Sequence, residues 1–335
     1  MTEPELEQVE EKKEQRPSAW WRALLIGAVL YILGLGTLFL TNNPNLFPTV
    51  VMIGSFLVPV AYVAFFYERR HLSKLTMPTT AMSLIYGGLL GVIAASILEP
   101  IFVQKLDTAT AFIIGLIEEF AKILGVLVVA RRWRHDSEID GIILGAAAGM
   151  GFAALESSGY AFTAFMQSNG NLSATVGVTL LRGLLSPLGH GTWTAILAAV
   201  LFRESRGGHF RINLKVVGAY FTAVILHGLW DAVPAALSAY TVAGIDVFVG
   251  QVLVGLPGLL ILWRRWHEGM RLQLEQAEEA EAVSPSLEEI SSVAEEPAEI
   301  PLDGHWVLVD ESDREMASEK VTEGPEDGIE EEPFI

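Results

Sequence analysis

Cysteine is absent from this 335-residue chain. That excludes disulfides, thiolate metal ligands and a cysteine nucleophile. Ionisable residues are missing from the interiors of the first two long apolar runs, so no buried chemistry is expected there. No internal repeat is evident, and no inverted duplication of the kind many secondary transporters carry. A cleavable signal peptide is not expected either, because the start is acidic and polar up to Pro17 and the first apolar run is too long for an h-region. Positive charge is scarce overall: the formal net charge is -18. That deficit is local. Residues 267–335 hold 22 acidic and three basic residues, and the rest of the chain is close to neutral. Nothing here calls for nucleic acid as a partner.

What the chain has in abundance is apolar length. It is 51% hydrophobic with a mean hydropathy of +0.40, and runs of about 20 apolar residues, the length of a membrane-spanning helix, follow one another. The runs are continuous rather than alternating, which predicts helices and excludes a β-barrel. The expected fold is therefore all-α: a polytopic transmembrane bundle of about eight spans with a disordered acidic C-terminal tail. The spans read as Trp20–Leu40, Thr49–Phe66, Ala81–Val103, Thr108–Ala130, Ile139–Phe165, Ala174–Phe202, Leu214–Leu237 and Ile245–Trp263. Basic residues cluster in every second loop, at Arg69/Arg70/Lys74, Arg131/Arg132/Arg134, Arg203/Arg206/Arg211/Lys215 and Arg264/Arg265/Arg271. The alternate loops hold Lys105 alone. By the positive-inside rule both termini are cytoplasmic, and the protein is a multi-pass resident of a prokaryotic cell membrane. Residues 1–18 form a cytoplasmic N-terminal segment, 19–266 the transmembrane domain, and 267–335 a mostly disordered tail available to a cytoplasmic partner. Within that tail the apolar island Ile300–Asp310 is read as weakly structured, and Leu272–Ala282 as a short continuation of the last helix.

Against this background the polar residues inside the spans stand out. A charge at the bilayer centre costs at least a few kcal/mol, so such residues face a bundle interior and mark function. The fourth span carries Glu118, Glu119 and Lys122. The fifth carries Glu156, the sixth Arg182 and His190, the seventh His227 and Asp231. Counted from the cytoplasmic edges at about 1.5 Å per residue, Glu118, His190 and His227 lie roughly 18–20 Å deep and Glu156 roughly 24 Å. Four helices thus bring acids and imidazoles to one layer. Two imidazoles and a carboxylate, His190, His227 and Glu156, form a three-ligand site for a divalent metal such as Zn2+ with a position open for water. A further glutamate near that water would be the general base. Glu118 and Glu119 point about 100° apart on a helix, so one is expected to face the site while the other meets Lys122 or a neighbouring helix. Asp231, one turn after His227, is placed to hold its second ring nitrogen. The plainer readings are a structural Glu118–Lys122 ion pair, interhelical hydrogen bonding by each histidine, Glu156 with Ser157 and Ser158 as polar glue, and an Asp231–Arg182 pair.

At these residues the sequence resembles the PrsW family of intramembrane proteases, related to the CAAX-protease-like superfamily. The resemblance lies in Glu118-Glu119-x-x-Lys122, Phe152-Ala153-x-x-Glu156, Arg182 followed by His190, and His227-x-x-Trp230-Asp231, one motif per consecutive span over Thr108–Asp231. Where the family's second motif often continues with asparagine, this chain has Ser157. The resemblance implies hydrolysis of a peptide bond of a membrane protein, typically site-one cleavage of a membrane-spanning anti-sigma factor, by a metallopeptidase-like site. Glu118 and Glu119 would be the essential acids, with Glu156, His190 and His227 completing the site. The residues by themselves leave two versions open: a zinc ion held by the histidines and Glu156, or a metal-free site in which the histidines stabilise the oxyanion. Two rival functions also stay open, an ion- or proton-coupled transporter and a non-catalytic scaffold working through the acidic tail.

Overall fold

A computed structural model describes residues 19–70, 73–105, 107–131, 137–206, 208–238 and 245–283. The N-terminal segment 1–18, the tail beyond 283 and the island 300–310 lie outside the described residues. Contacts divide the chain into Met1–Glu281 and Ala282–Ile335; everything below concerns the first unit.

Nine α-helices follow one another among the described residues: α1 (Ala19–Thr41), α2 (Phe47–Glu68), α3 (Met77–Phe102), α4 (Thr108–Ala130), α5 (Glu138–Gln167), α6 (Leu172–Leu185), α7 (His190–Arg203), α8 (Leu214–Leu237) and α9 (Ile245–Val283). No strand occurs among them. Seven segments are long and apolar enough to cross a membrane, with α6 and α7 counted together as Leu172–Arg203. The eighth expected span is α4. It has the length, 23 residues, but carries Glu118, Glu119 and Lys122 in its centre.

The helix starts are written in the sequence. Asp107 caps α4 in a reciprocal box with Thr110, and Thr76, Ser137, Asn171 and Asn213 cap α3, α5, α6 and α8. Each side-chain oxygen takes up an amide that the first helical turn leaves without a partner.

Two helices form the centre. From Ile139 to Ala154 α5 is buried on every side, and α7 is buried from His190 to Phe202. They can lie side by side because α5 presents glycine where α7 crosses: a Cβ added at Gly145 would stand 2.5 Å from the Thr194 carbonyl oxygen. Small residues at such crossings let backbones approach, the usual basis of helix association in lipid. On the far side α5 packs against α3 at Gly88, Gly87 and Gly91. Helices α1, α3, α8 and α9 turn Leu, Ile and Phe outward, as expected of lipid-facing surfaces.

One difference from the expected spans matters. The sixth span is not continuous. Pro187 has no N–H to continue the helical ladder, so α6 ends in a 3-10 turn at Ser186–Leu188 and a new helix, α7, begins at His190. The interruption is satisfied internally: Thr192 Oγ1 donates to the Pro187 carbonyl at 2.7 Å and Ser186 Oγ to the Gly183 carbonyl at 2.9 Å. Irregular backbone at membrane depth persists only where such partners exist. The last helix does run on past its span through Leu272–Ala282, as its sequence leads one to expect. Its 39 residues extend roughly 58 Å, about twice the hydrocarbon thickness, and it is tied back to α7 by Arg203–Glu268 at 2.9 Å and to α5 by Arg265–Glu138 at 3.4 Å.

Candidate active site

Glu118, Glu119 and Lys122 share the buried side of α4. Glu118 is 4% exposed and the other two are 0% exposed. Lys122 reaches both acids, with Nζ 2.9 Å from Glu118 Oε2 and 2.8 Å from Glu119 Oε1. The expectation gave Lys122 or a neighbouring helix to one glutamate only; here Lys122 reaches both. Both acids face inward because α7 and α8 supply partners across the gap.

From α8, His227 stands between the two carboxylates, its Nδ1 3.1 Å from Glu119 Oε1 and its Nε2 3.6 Å from Glu118 Oε2. From α7, Thr194 Oγ1 donates to Glu119 Oε2 at 3.0 Å. Glu119 is thus engaged at both oxygens. Glu118 meets Lys122, His190 and His227 through Oε2 alone.

His190 owes its position to the break after Pro187, which makes it the first residue of α7 in the middle of the span. Its Nδ1 lies 2.8 Å from Lys122 Nζ and 3.8 Å from Glu118 Oε2. Its Nε2 lies 3.0 Å from Glu156 Oε2 on α5. Phe152, Trp193 and His227 surround the ring, each with centroids 5.0 Å away. Arg182, on the last turn of α6, holds Glu156 Oε2 with Nη2 at 2.5 Å, donates from Nε to Ser157 Oγ at 3.0 Å, and stacks over Tyr160 at 4.1 Å. The Ser157 hydroxyl therefore sets the angle of a guanidinium. Arg182 finds its carboxylate in Glu156 rather than Asp231. Asp231 approaches His227 Nε2 only to 3.7 Å, with its side chain 41% exposed, an ion-pair separation longer than a hydrogen bond.

The network borders a cavity of about 890 Å³ whose wall includes Glu118, Glu156, Arg182, His190, His227 and Asp231. Asp107 and Ala236 also line it, so it extends toward the ends of α4 and α8 that lie away from the Arg131 loop. Three contributors escaped the sequence reading. Thr194 looks like any buried threonine of a membrane helix. Glu99, near the end of α3, lines the same cavity, and its Oε1 is buried without a hydrogen-bond partner. Trp193, 0% exposed, packs on both histidines, and only its closeness to His190 in sequence hinted at this.

A metal can be tested against these donors. Glu118, His190 and His227 each offer one ligand atom, all within 4.8 Å of one another, and all three residues are buried. Two imidazoles and a carboxylate suit a zinc-type divalent ion. The sequence reading took Glu156 as the third donor; the group the structure gathers has Glu118 there, while Glu156 Oε2 is engaged by Arg182 and His190.

A helical membrane bundle with acids and imidazoles gathered beside an open cavity has the fold and the groups of an intramembrane hydrolase. Residues 76–261, more than half of the chain, match the family model described as PrsW family intramembrane metalloprotease, and the chain belongs to that family. It is 27% identical over 210 residues to Protease PrsW of Halalkalibacterium halodurans, an alignment covering 61% of this chain and 87% of that protein. No solved structure matches it. The protein is thus an intramembrane peptidase.

Proposed function

We propose that the protein is an endopeptidase that hydrolyses a bond of a membrane-protein substrate in or beside the bilayer, with Glu118 as the base that activates water. The resemblance stated above adds the substrate class, a membrane-spanning anti-sigma factor cut at its first site, and the kinship with the CAAX-protease-like superfamily. The alternating basic loops support a topology with both termini in the cytoplasm, in which the cavity would open toward the opposite face.

The observation that carries the reading is the difference between the paired glutamates. Glu119 is enclosed and bonded at both oxygens by Lys122, His227 and Thr194. Glu118 lines the cavity, and its contacts with Lys122, His190 and His227 use one oxygen. A water on the other oxygen gives up its proton as it attacks the scissile carbonyl. Lys122, beside the carboxylate, balances the charge before transfer. His227, whose Nε2 lies 3.6 Å from Glu118 Oε2, would in its protonated form donate to the developing oxyanion. The proton held by Glu118 then passes to the leaving amine.

A second reading is favoured by the spacing of Glu118, His190 and His227. A divalent ion held by these three would supply Lewis acidity and a water of lowered pKa, and Glu118 would then serve as ligand instead of base.

The test is reconstitution into vesicles with a single-pass substrate, comparing wild type with Glu118→Gln, Glu119→Gln, His190→Ala and His227→Ala. Equal cleavage by all five sinks the catalytic assignment. Cleavage abolished by chelation and restored by zinc supports the ligand role of Glu118; cleavage that survives metal-free preparation supports the base.

A further inference from the structure

Lys122 is enclosed completely, and the partners of its ammonium are Glu118 Oε2, Glu119 Oε1 and His190 Nδ1 at 2.9, 2.8 and 2.8 Å, with the ring of Phe152 3.9 Å from Nζ. Two of these partners, Glu118 and His190, are also two of the three candidate metal ligands.

The tautomer of His190 follows from its neighbours. Nε2 faces Glu156 Oε2, an oxygen that Arg182 holds as a carboxylate acceptor. Nε2 must therefore be the donor, and Nδ1, facing an ammonium, must carry the lone pair. A neutral imidazole has one such lone pair. A carboxylate oxygen can serve two partners at once; His190 Nδ1 cannot.

The geometry points to Lys122 and a divalent ion as mutually exclusive partners of His190 Nδ1, with Arg182 and Glu156 as positioning residues that aim this lone pair inward. The inference rests on the reading of Glu118, His190 and His227 as a ligand set. It makes Lys122 a resident cation of the site, one that an entering metal has to displace. Charge supports this. Glu118, Glu119 and Glu156 face Lys122 and Arg182, and Glu99 and Asp231 line the same cavity, so acids already outnumber bases there, and replacing the lysine by a neutral residue widens the deficit that a divalent ion fills.

The experiment uses the full-length chain purified in detergent and reads metal binding directly. Zn2+ is titrated against a chromophoric chelator, and Co2+ serves as a spectroscopic probe, for wild type, Lys122→Met, Lys122→Gln and Lys122→Met/His190→Ala. Losing a charged hydrogen bond that competes for a ligand corresponds to about tenfold or more in affinity. Both single variants should bind one ion per chain at least about tenfold more tightly than wild type, and the double variant should lose that gain. In metal-free wild type, nitrogen-15 spectra of labelled histidine should show His190 as the Nε2–H tautomer, and zinc should move its Nδ1 signal. Unchanged or weaker binding in the lysine variants would overturn the inference, as would an Nδ1–H tautomer, which needs no variant to fold. Absence of binding in every protein would overturn the ligand set and this competition together, yet it would leave the cleavage assay of the glutamate variants to decide the peptidase mechanism separately.

Discussion

Thr194 on α7 donates its hydroxyl to Glu119 Oε2 across 3.0 Å, with both residues 0% exposed. This contact ties the second glutamate of the pair to the central helix and sets its role apart from that of the first. Glu118→Gln should keep the fold and lower kcat by about 10²–10⁴-fold, the span usual for a lost general base. Glu119→Ala removes one side of a buried ion pair, for which about 3–5 kcal/mol of destabilisation is typical. Thermal unfolding in detergent alongside single-turnover cleavage checks both. A stable, inactive Glu119→Ala beside an active Glu118→Gln would reverse the roles.

Arg182 acts through Glu156. Its loss should leave the outer carboxylate near His190 without a counter-charge, and groups that orient a catalytic histidine are commonly worth about 10–100-fold. Arg182→Ala should show that loss in kcat/KM. Arg182→Lys should recover only part of it, because a point charge cannot hold Glu156 and the Ser157 hydroxyl in one plane as the guanidinium fork does. Full rescue by lysine would mean that charge alone matters.

Asp231 is the residue whose weight falls. At 3.7 Å from the buried His227 the contact is longer than a hydrogen bond, and the Asp231 side chain is 41% exposed at the cavity wall, so the pair is held loosely. Asp231→Asn should change kcat/KM by less than about fivefold. A loss of two orders of magnitude would show that the carboxylate closes on His227 when substrate binds.

The crossing of α5 and α7 makes a stability prediction independent of the chemistry. At Gly145 even one methyl meets the backbone of Thr194, so Gly145→Ala should cost about 1–3 kcal/mol, the usual penalty of overpacking. At Gly36 nothing lies within 4 Å of an added Cβ, and Gly36→Ala should be neutral or stabilise by up to about 1 kcal/mol through helix propensity. Thermal shifts of the two variants in the same detergent make the comparison, and equal shifts would contradict the close α5–α7 packing.

Much of this protein was legible before any tertiary contact was known. Continuous apolar length specified a helical membrane bundle, and the rise per residue put Glu118, His190 and His227 at one depth. Depth is a one-dimensional property, carried by the chain itself. What only the tertiary structure decided is which way each side chain turns. Thr194 and His227 draw Glu119 inward beside Glu118, so that Lys122 bridges both acids. The break at Pro187 lifts His190 onto a fresh helix end, and Arg182 settles on Glu156 while Asp231 stays at the cavity wall. Azimuth and partner choice come from neighbouring helices, where burial makes every unpaired polar atom costly, and a count along one helix carries no record of them.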